Sequence, residues 1–402
     1  GIVQPWGTLT GIRPTKLFHQ MRKKGWTREE IFSALKDVFL VTEEKIALLD
    51  RIVRRQLTVL PDLYSLHNEV SIYIGIPFCP TKCAYCTFPA YAIGGQKNVV
   101  MQFLEHLHAE IDAIGKWLTE NHIPVTTIYI GGGTPTSISA QEMEALYKKL
   151  HEALPNINNV REITVEAGRP DTITEEKLAV LKKWNIGRIS VNPQSFHNET
   201  LRAIGRHHTV EETIEKFLLA RKFGMDNINM DLIIGLPNEG TKELAYTLKQ
   251  VEKLLPESLT VHTLSFKRAS SMTKEREKYQ VADRNEIAKM MEMASRWTKK
   301  HGYEPYYLYR QKNILGNLEN VGYARERKES LYNILIMEEA QTIIGLGCGS
   351  SSKFVHPKTG KITHFANAKD PLMYIERSEH YTKEKIKLLA EIFAPSRSKT
   401  AP

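Results

Sequence analysis

Cysteine is scarce, four in 402 residues, too few for a disulfide-stapled secreted scaffold. No apolar run approaches the roughly 18 residues that cross a bilayer. The start, Gly1-Ile2-Val3-Gln4-Pro5-Trp6, lacks a basic stretch leading into an apolar one. No internal repeat or low-complexity tract is evident. These absences exclude a transmembrane protein, a secreted mini-protein and a fibrous one, and the expected location is cytoplasmic. The start at Gly1 rather than Met marks the chain as a candidate fragment of a longer one. With 42% hydrophobic and 25% charged residues, most of the chain is expected to fold. The length allows two or three domains, or one large α/β barrel with additions.

The net charge of +9 is unevenly spread. Residues 1–68 carry 11 basic and 7 acidic groups, residues 69–265 carry 19 and 23, and residues 266–402 carry 25 and 16. Basic flanks attract polyanions, whether nucleic acid, a membrane surface or a small polyacid. No groove-reading or base-stacking motif accompanies the charge, which argues against nucleic acid.

The chain's pattern changes near residue 69. Before it, amphipathic helical periods run over Thr27–Val41, with Thr27 as its cap, and over Glu43–Gln56. After it, short β-branched runs predict strands at Val70–Ile76, Val125–Ile130, Glu162–Glu166, Gly187–Val191, Ile228–Ile234 and Leu259–Ser265. Helical periods fill the gaps at Val99–Thr119, Ala140–Leu154, Glu175–Trp184, Val210–Phe223 and Lys242–Leu254. Six strands alternating with five helices imply parallel βαβ units, in a partial barrel or an open doubly wound sheet. The chemistry-bearing residues fall at the C-terminal ends of the strands, where barrel active sites lie. Beyond Phe266 the alternation stops. A helix near Asp283–His301, the tyrosine-rich Tyr303–Tyr309, the glycine-rich Gly345–Gly349 and a turn at His356–Gly360 read as a smaller α+β domain. The expected division is therefore a helical segment 1–68, a barrel 69–266, an α+β domain 267–395 and a disordered tail 396–402.

Three of the four cysteines lie within eight residues, Cys79-Pro80-Thr81-Lys82-Cys83-Ala84-Tyr85-Cys86, directly after the first strand. Three thiolates at this spacing can hold three corners of a cubane iron–sulfur cluster and leave one iron open to a small chelating molecule. A structural zinc site wants four closed ligands. His67 and His106 are not placed as the fourth.

With these residues the chain resembles the radical S-adenosylmethionine (SAM) superfamily, whose signature is this cysteine spacing with an aromatic, here Tyr85, before the third. Ser71-Ile72-Tyr73-Ile74-Gly75-Ile76-Pro77-Phe78-Cys79 is similar to the oxygen-independent coproporphyrinogen III oxidase (dehydrogenase) family, with further likeness over roughly residues 70–355. The resemblance implies a partial (β/α)6 TIM-like barrel, a [4Fe-4S] cluster on Cys79, Cys83 and Cys86, and one or two SAM molecules. By the same resemblance Tyr73, Tyr85 and Gly132, Gly133 and Thr134 of the Gly131–Thr136 run contact SAM, as do Glu166 at a strand end and Gln194 of the Arg188–Phe196 segment. Arg206 would hold a carboxylate, Asp231 the ribose hydroxyls, and the backbone near Ser351 a second SAM. Cys348 reads as a small buried residue, and His207 and His208 as polar loop positions. Basic residues such as Lys267, Arg268 and Arg310 are candidates for an anionic substrate's site.

The implied activity is anaerobic oxidative decarboxylation of coproporphyrinogen III propionates to vinyl groups, giving protoporphyrinogen IX in haem biosynthesis. Flavodoxin or ferredoxin would be the electron donor. Three departures stand out. Thr87 and Phe88 follow Cys86 where the family's dehydrogenases usually carry another cysteine. Gly75 stands where a histidine is common, and Asn192-Pro193 replaces a small pair before Gln194. The lead-in also differs, although Gly11-Ile12-Arg13-Pro14-Thr15-Lys16 looks like a feature of a Gram-positive-type branch. The cysteine-then-phenylalanine pattern keeps open a haem chaperone of the same superfamily. An anaerobic haem-degrading radical SAM enzyme is a third reading.

Overall fold

The computed structural model describes residues 4–80, 91–92, 97–264, 282–311 and 319–393. The chain forms two compact units, each assembled from three separate stretches. The first comprises Gly1–Leu63, Pro193–Val210 and Asn229–Glu338. The second comprises Tyr64–Asn192, Glu211–Ile228 and Glu339–Pro402.

In chain order the strands are β1 (Val70–Ile76), β2 (Phe78–Cys79), β3 (Tyr91–Ala92), β4 (Val125–Gly132), β5 (Glu162–Glu166), β6 (Arg188–Ser190), β7 (Ile228–Ile234), β8 (Ser258–Thr263), β9 (Glu304–Arg310), β10 (Glu319–Ala324), β11 (Thr342–Gly347), β12 (Ser351–Val355) and β13 (Ile362–Ala366). Within the second unit the sheet order is β13-β12-β11-β1-β4-β5-β6. The run from β11 to β6 is parallel, and β12 and β13 add antiparallel pairs at the edge. Six of the seven residues of β1 are buried, as a strand covered on both faces requires. Helices Lys97–Glu120, Ala140–Ala153 and Glu175–Lys183 connect the parallel strands. Ser139 and Glu142 form a reciprocal capping box at the start of the second of these helices, and Thr174 caps the third.

Within the first unit β7 pairs with β8 in parallel, and β10 and then β9 add antiparallel strands. The tyrosine-rich segment is β9, with Tyr306, Tyr307 and Leu308 buried. Helices Pro14–Lys23 and Glu43–Val59 pack on β9. The amphipathic period from Thr27 to Val41 is not one helix. The capped helix Arg28–Ser33 passes into a π-helical turn over Ala34–Val38, and Leu40 takes a left-handed φ of 58°. Arg310, a candidate for an anionic substrate, has another task. Its guanidinium donates to Leu9 O at 2.7 Å and Gly11 O at 3.2 Å and lies over the Trp6 ring. It fastens the N-terminal segment to β9. Lys267 and Arg268 lie outside the described residues.

The predicted strand and helix periods of the βα alternation all appear within a few residues of their expected bounds. Two features follow less directly from pattern. The residues after 282 supply β9 and β10 to one unit and β11 to β13 to the other, and the polar C-terminal stretch contains the long helix Pro371–Phe393. Among the described residues no helix is long and apolar enough to cross a membrane.

Candidate functional site

The second unit gathers its candidate residues around the C-terminal end of β1. After Ile76 the chain turns at Pro77 into β2, which pairs with β3, so backbone pairing brackets the cysteine-rich segment. Cys79 is buried, with Sγ 3.5 Å from Thr134 Oγ1. The glycine run is fastened to this segment. Gly133 N–H donates to Ile76 O at 2.8 Å and Thr134 N–H to Phe78 O at 2.7 Å. Gly132 has φ +105°, and a Cβ there would stand 2.8 Å from both Ile76 N and O. On Gly133 it would stand 2.7 Å from Phe78 O and 3.1 Å from Cys79 Sγ. Only glycine permits this approach. Cys83, Tyr85 and Cys86 lie outside the described residues.

Register brings further groups onto the same face of this sheet. Tyr73 pairs with Tyr129, Tyr129 with Thr164, and Glu166 with Ser190. Side chains alternate between faces, so Tyr73, Tyr129, Glu166 and Ser190 share one. The two tyrosine rings stack at 6.0 Å between centroids, and Tyr129 Oη donates to Glu166 Oε1. Burial, reinforced by the Glu166 charge, raises both phenols above their ordinary range, so they remain neutral hydrogen-bond donors. Gly131 lies between these groups, and a Cβ on it would stand 3.0 Å from Glu166 Oε2. Ser190 Oγ and Asn192 Oδ1 are buried without a hydrogen-bond partner among the described residues. Buried polar atoms are normally satisfied, so Ser190, paired with Glu166, and Asn192, whose N–H donates to Gly168 O, fit a polar ligand. Tyr129 and Ser190 were not among the residues singled out from sequence. Their signal is positional: Tyr129 precedes the glycine run by two residues, and Ser190 ends β6, the strand after the one that carries Glu166.

On the other flank of β1, Gly75 pairs with Gly347, and Cys348 N–H donates to Gly75 O at 3.0 Å. A Cβ on Gly75 would stand 2.3 Å from Cys348 O, which explains why no histidine occupies this position. Ser351 opens β12, and its carbonyl lies 2.9 Å from where a Cβ of Gly345 would stand. Burial pushes the Cys348 thiol up to about 12, and the thiol donates to Ala368 O and Lys369 O. It is an inert packing residue, as expected.

The first unit holds the other candidates. Gln194 takes a left-handed φ of 67° directly after Pro193, and His208 Nε2–H donates to Pro193 O at 3.0 Å. Ser195 Oγ donates to Glu239 Oε2 at 2.6 Å, and burial raises the Glu239 carboxyl. Gln194, Ser195, Phe196, Asp231, Ile233 and Glu239 line a small cleft in this unit. Arg206 is buried just after Gly205, whose φ of +81° ends the short helix Asn198–Ala203. Asp231 is held from two sides: Asn229 Nδ2 donates to its Oδ1 at 3.3 Å, and His262 Nε2 lies 3.6 Å from its Oδ2. Burial lowers the basicity of His262, but the hydrogen bond and charge of Asp231 outweigh it and the net direction is upward. Sequence reasoning missed His262. Its signal is the pairing of Ile233 with His262, which puts the imidazole on the Asp231 face.

A family model described as the radical SAM superfamily matches residues 73–251. The chain is 66% identical over 393 residues to the oxygen-independent coproporphyrinogen-III oxidase-like protein HemZ of Bacillus subtilis (strain 168), covering 98% of this chain and 78% of that protein. It is 30% identical over 324 residues to the heme chaperone HemW of the same strain, covering 79% and 80%. Among solved structures, coproporphyrinogen III oxidase (HemN) from Escherichia coli, described as a radical SAM enzyme, matches with a TM-score of 0.62 at 22% identity, over 81% of this chain and 73% of that one. That likeness shows a shared α/β fold.

Proposed function

The chain belongs to the radical SAM superfamily, in its oxygen-independent coproporphyrinogen III oxidase-like family, and from that premise we propose that it decarboxylates coproporphyrinogen III propionates to vinyl groups without oxygen, forming protoporphyrinogen IX. The observation that carries the reading is the face of the second unit where Tyr73, Tyr129, Glu166 and the Gly131–Gly133 cradle meet beside Cys79. Superfamily membership implies a [4Fe-4S] cluster and SAM. Cys79, Cys83 and Cys86 would hold the cluster. When bound, the pair supplies one-electron cleavage of SAM to methionine and a 5′-deoxyadenosyl radical.

The residues of the chain bind and orient. Gly132, Gly133 and Thr134 offer close backbone and a hydroxyl to an amino acid moiety. Glu166, oriented by Tyr129, accepts from its ammonium, and the backbone near Ser351 would contact a second SAM. Tyr73 and Tyr129 form an apolar wall that excludes water. In the first unit, Arg206 presents a planar fork suited to a carboxylate, Asp231 accepts from vicinal hydroxyls, and Gln194 donates or accepts beside them. Tyr85 completes the cysteine segment. Each propionate would lose one hydrogen atom, carbon dioxide and one further electron, the last to an acceptor outside the chain. Flavodoxin or ferredoxin is the proposed donor.

A second reading, a haem chaperone, is favoured by the 30% identity to HemW and by Thr87-Phe88 after Cys86. One anaerobic assay with SAM, reductant and coproporphyrinogen III separates the two. Release of carbon dioxide with vinyl formation supports decarboxylation. Haem binding with neither product overturns it in favour of the chaperone.

A further inference from the structure

Two helices of the second unit carry a charge pair that the proposed chemistry does not use. Glu110 on Lys97–Glu120 and Lys385 on Pro371–Phe393 both have 0% side-chain exposure, with Nζ 2.6 Å from Oε2. A buried ion pair is weak evidence for stability, because an apolar pair of similar volume often serves as well. The question is what this pair does that an apolar pair cannot.

Its hydrogen bonds converge on two residues of β11. Lys385 Nζ donates to Gly345 O at 2.7 Å, and Gly347 N–H donates to Glu110 Oε1 at 2.7 Å. Asn367 Nδ2 donates to Gly347 O at 2.8 Å and to Glu110 Oε2 at 3.2 Å. Tyr374 Oη completes the set, donating to Glu110 Oε1 at 2.9 Å. On one flank β11 pairs with β1 as far as Gly347, but on the other it pairs with β12 only at Ile343. Beyond Ile343 the register with β12 lapses, and the outward backbone groups of Gly345 and Gly347 have no ladder partner in it. Buried backbone groups require partners, and here side chains supply them, Ser352 Oγ also accepting from Gly345 N–H at 2.8 Å.

We propose that Glu110, Lys385 and Asn367 are positioning residues that replace the missing ladder bonds, holding the end of β11 against Gly75 so that the Gly347–Ser351 loop is fixed beside the strand leading to Cys79. The structural part stands on the hydrogen bonds alone. The consequence for SAM rests on the functional reading above. Exposed or flexible loops would not need a buried charge for this purpose. The end of β11 does, because its backbone is buried where its pairing with β12 lapses.

The test uses the full chain with Glu110→Met and Lys385→Met, singly and together. Each single variant leaves one buried charge uncompensated and should melt well below the wild type. The double variant should recover most of that loss, yet its 343–351 segment should exchange amide hydrogens at least tenfold faster. In the anaerobically reconstituted holoenzyme, its SAM dissociation constant should weaken at least tenfold at unchanged iron content. Normal exchange protection in the double variant overturns the proposal, and so does faster exchange with unchanged SAM affinity. If the double variant does not fold, Asn367→Ala serves instead. It leaves the Glu110–Lys385 pair intact, so the variant should fold and still exchange faster at 343–351, and unaltered exchange there overturns the proposal. Faster exchange together with a wild type that binds no SAM supports the clamp and refutes the functional reading.

Discussion

Replacing Gly133 by alanine tests whether the glycine run is a fitted cradle. Its φ lies outside the left-handed region, so the cost is steric. The new methyl would stand 2.7 Å from Phe78 O and 3.1 Å from Cys79 Sγ, well inside the ordinary carbon contact distance of about 3.5 Å. Phe78 is buried backbone pinned by Thr134 N–H at 2.7 Å, and Gly133 N–H is pinned to Ile76 O at 2.8 Å. Relief requires moving one segment away from the other. Two hydrogen bonds weaken, each worth about 1 kcal/mol, and overpacking adds roughly 1–3 kcal/mol. The expected destabilisation is about 3 kcal/mol, taken up between the glycine run and the cysteine segment. Gly187→Ala is the reference, because no atom lies within 4 Å of its Cβ position. Thermal unfolding and iron per chain after anaerobic reconstitution are measured for both. Gly133→Ala should melt clearly lower and retain less than half the iron. If it matches Gly187→Ala in both measurements, the cradle argument is refuted.

Cys83→Ser should abolish the visible absorbance, iron retention and SAM cleavage of reconstituted protein; retention of all three would sink the cluster assignment. Tyr129→Phe removes a donor to Glu166 and should destabilise by about 1.5–3 kcal/mol, the range for hydrogen bonds to charged groups, checked by chemical unfolding. An unchanged midpoint would show that the contact is solvent-compensated. For His262 the folded state holds the proton more tightly than the unfolded chain, because of Asp231. Its contribution is therefore complete below the ordinary histidine value and lost as pH rises through the raised folded value. The melting difference between wild type and His262→Phe should be largest below about pH 6.5 and shrink with increasing pH. A difference that grows instead would reverse the assigned interaction.

What could be read in advance was governed by periodicity and local spacing. The βα units were readable because a parallel strand is a short run dominated by large apolar and β-branched residues, as in β1 and β7, and its helices carry a 3.6-residue stripe closed by caps such as Thr174. The glycine run and the cysteine segment were readable because their chemistry lies in consecutive residues. Tyr129, Ser190 and His262 were not, because their roles arise only when register sets strands side by side. His262 is an ordinary strand residue until Ile233 is its neighbour and Asp231 shares its face. Arg310 shows the converse. Its position beside a tyrosine-rich segment looked like anion recognition, whereas Leu9 O, Gly11 O and the Trp6 ring already engage its guanidinium.

The departure at Gly75 follows the same logic at closer range. Taken alone, the loss of a histidine two residues after Tyr73 removes a polar group near the cysteine segment. In the fold, Gly75 is flanked by glycine on both sides, Gly131 on β4 and Gly347 on β11. Gly347 has φ +78°, and a Cβ on it would stand 2.4 Å from Gly75 O. Three adjacent strands thus present no side chain at one level, and Cys348 O occupies the volume a Cβ on Gly75 would need. Such a level brings backbone within reach of a ligand, but it contributes no packing of its own and costs conformational entropy at each glycine. Its position must be fixed from outside, and on the β11 side Glu110, Lys385 and Asn367 do so. The missing histidine and the buried ion pair are therefore two parts of one arrangement, in which polar groups hold the backbone of the cradle from behind.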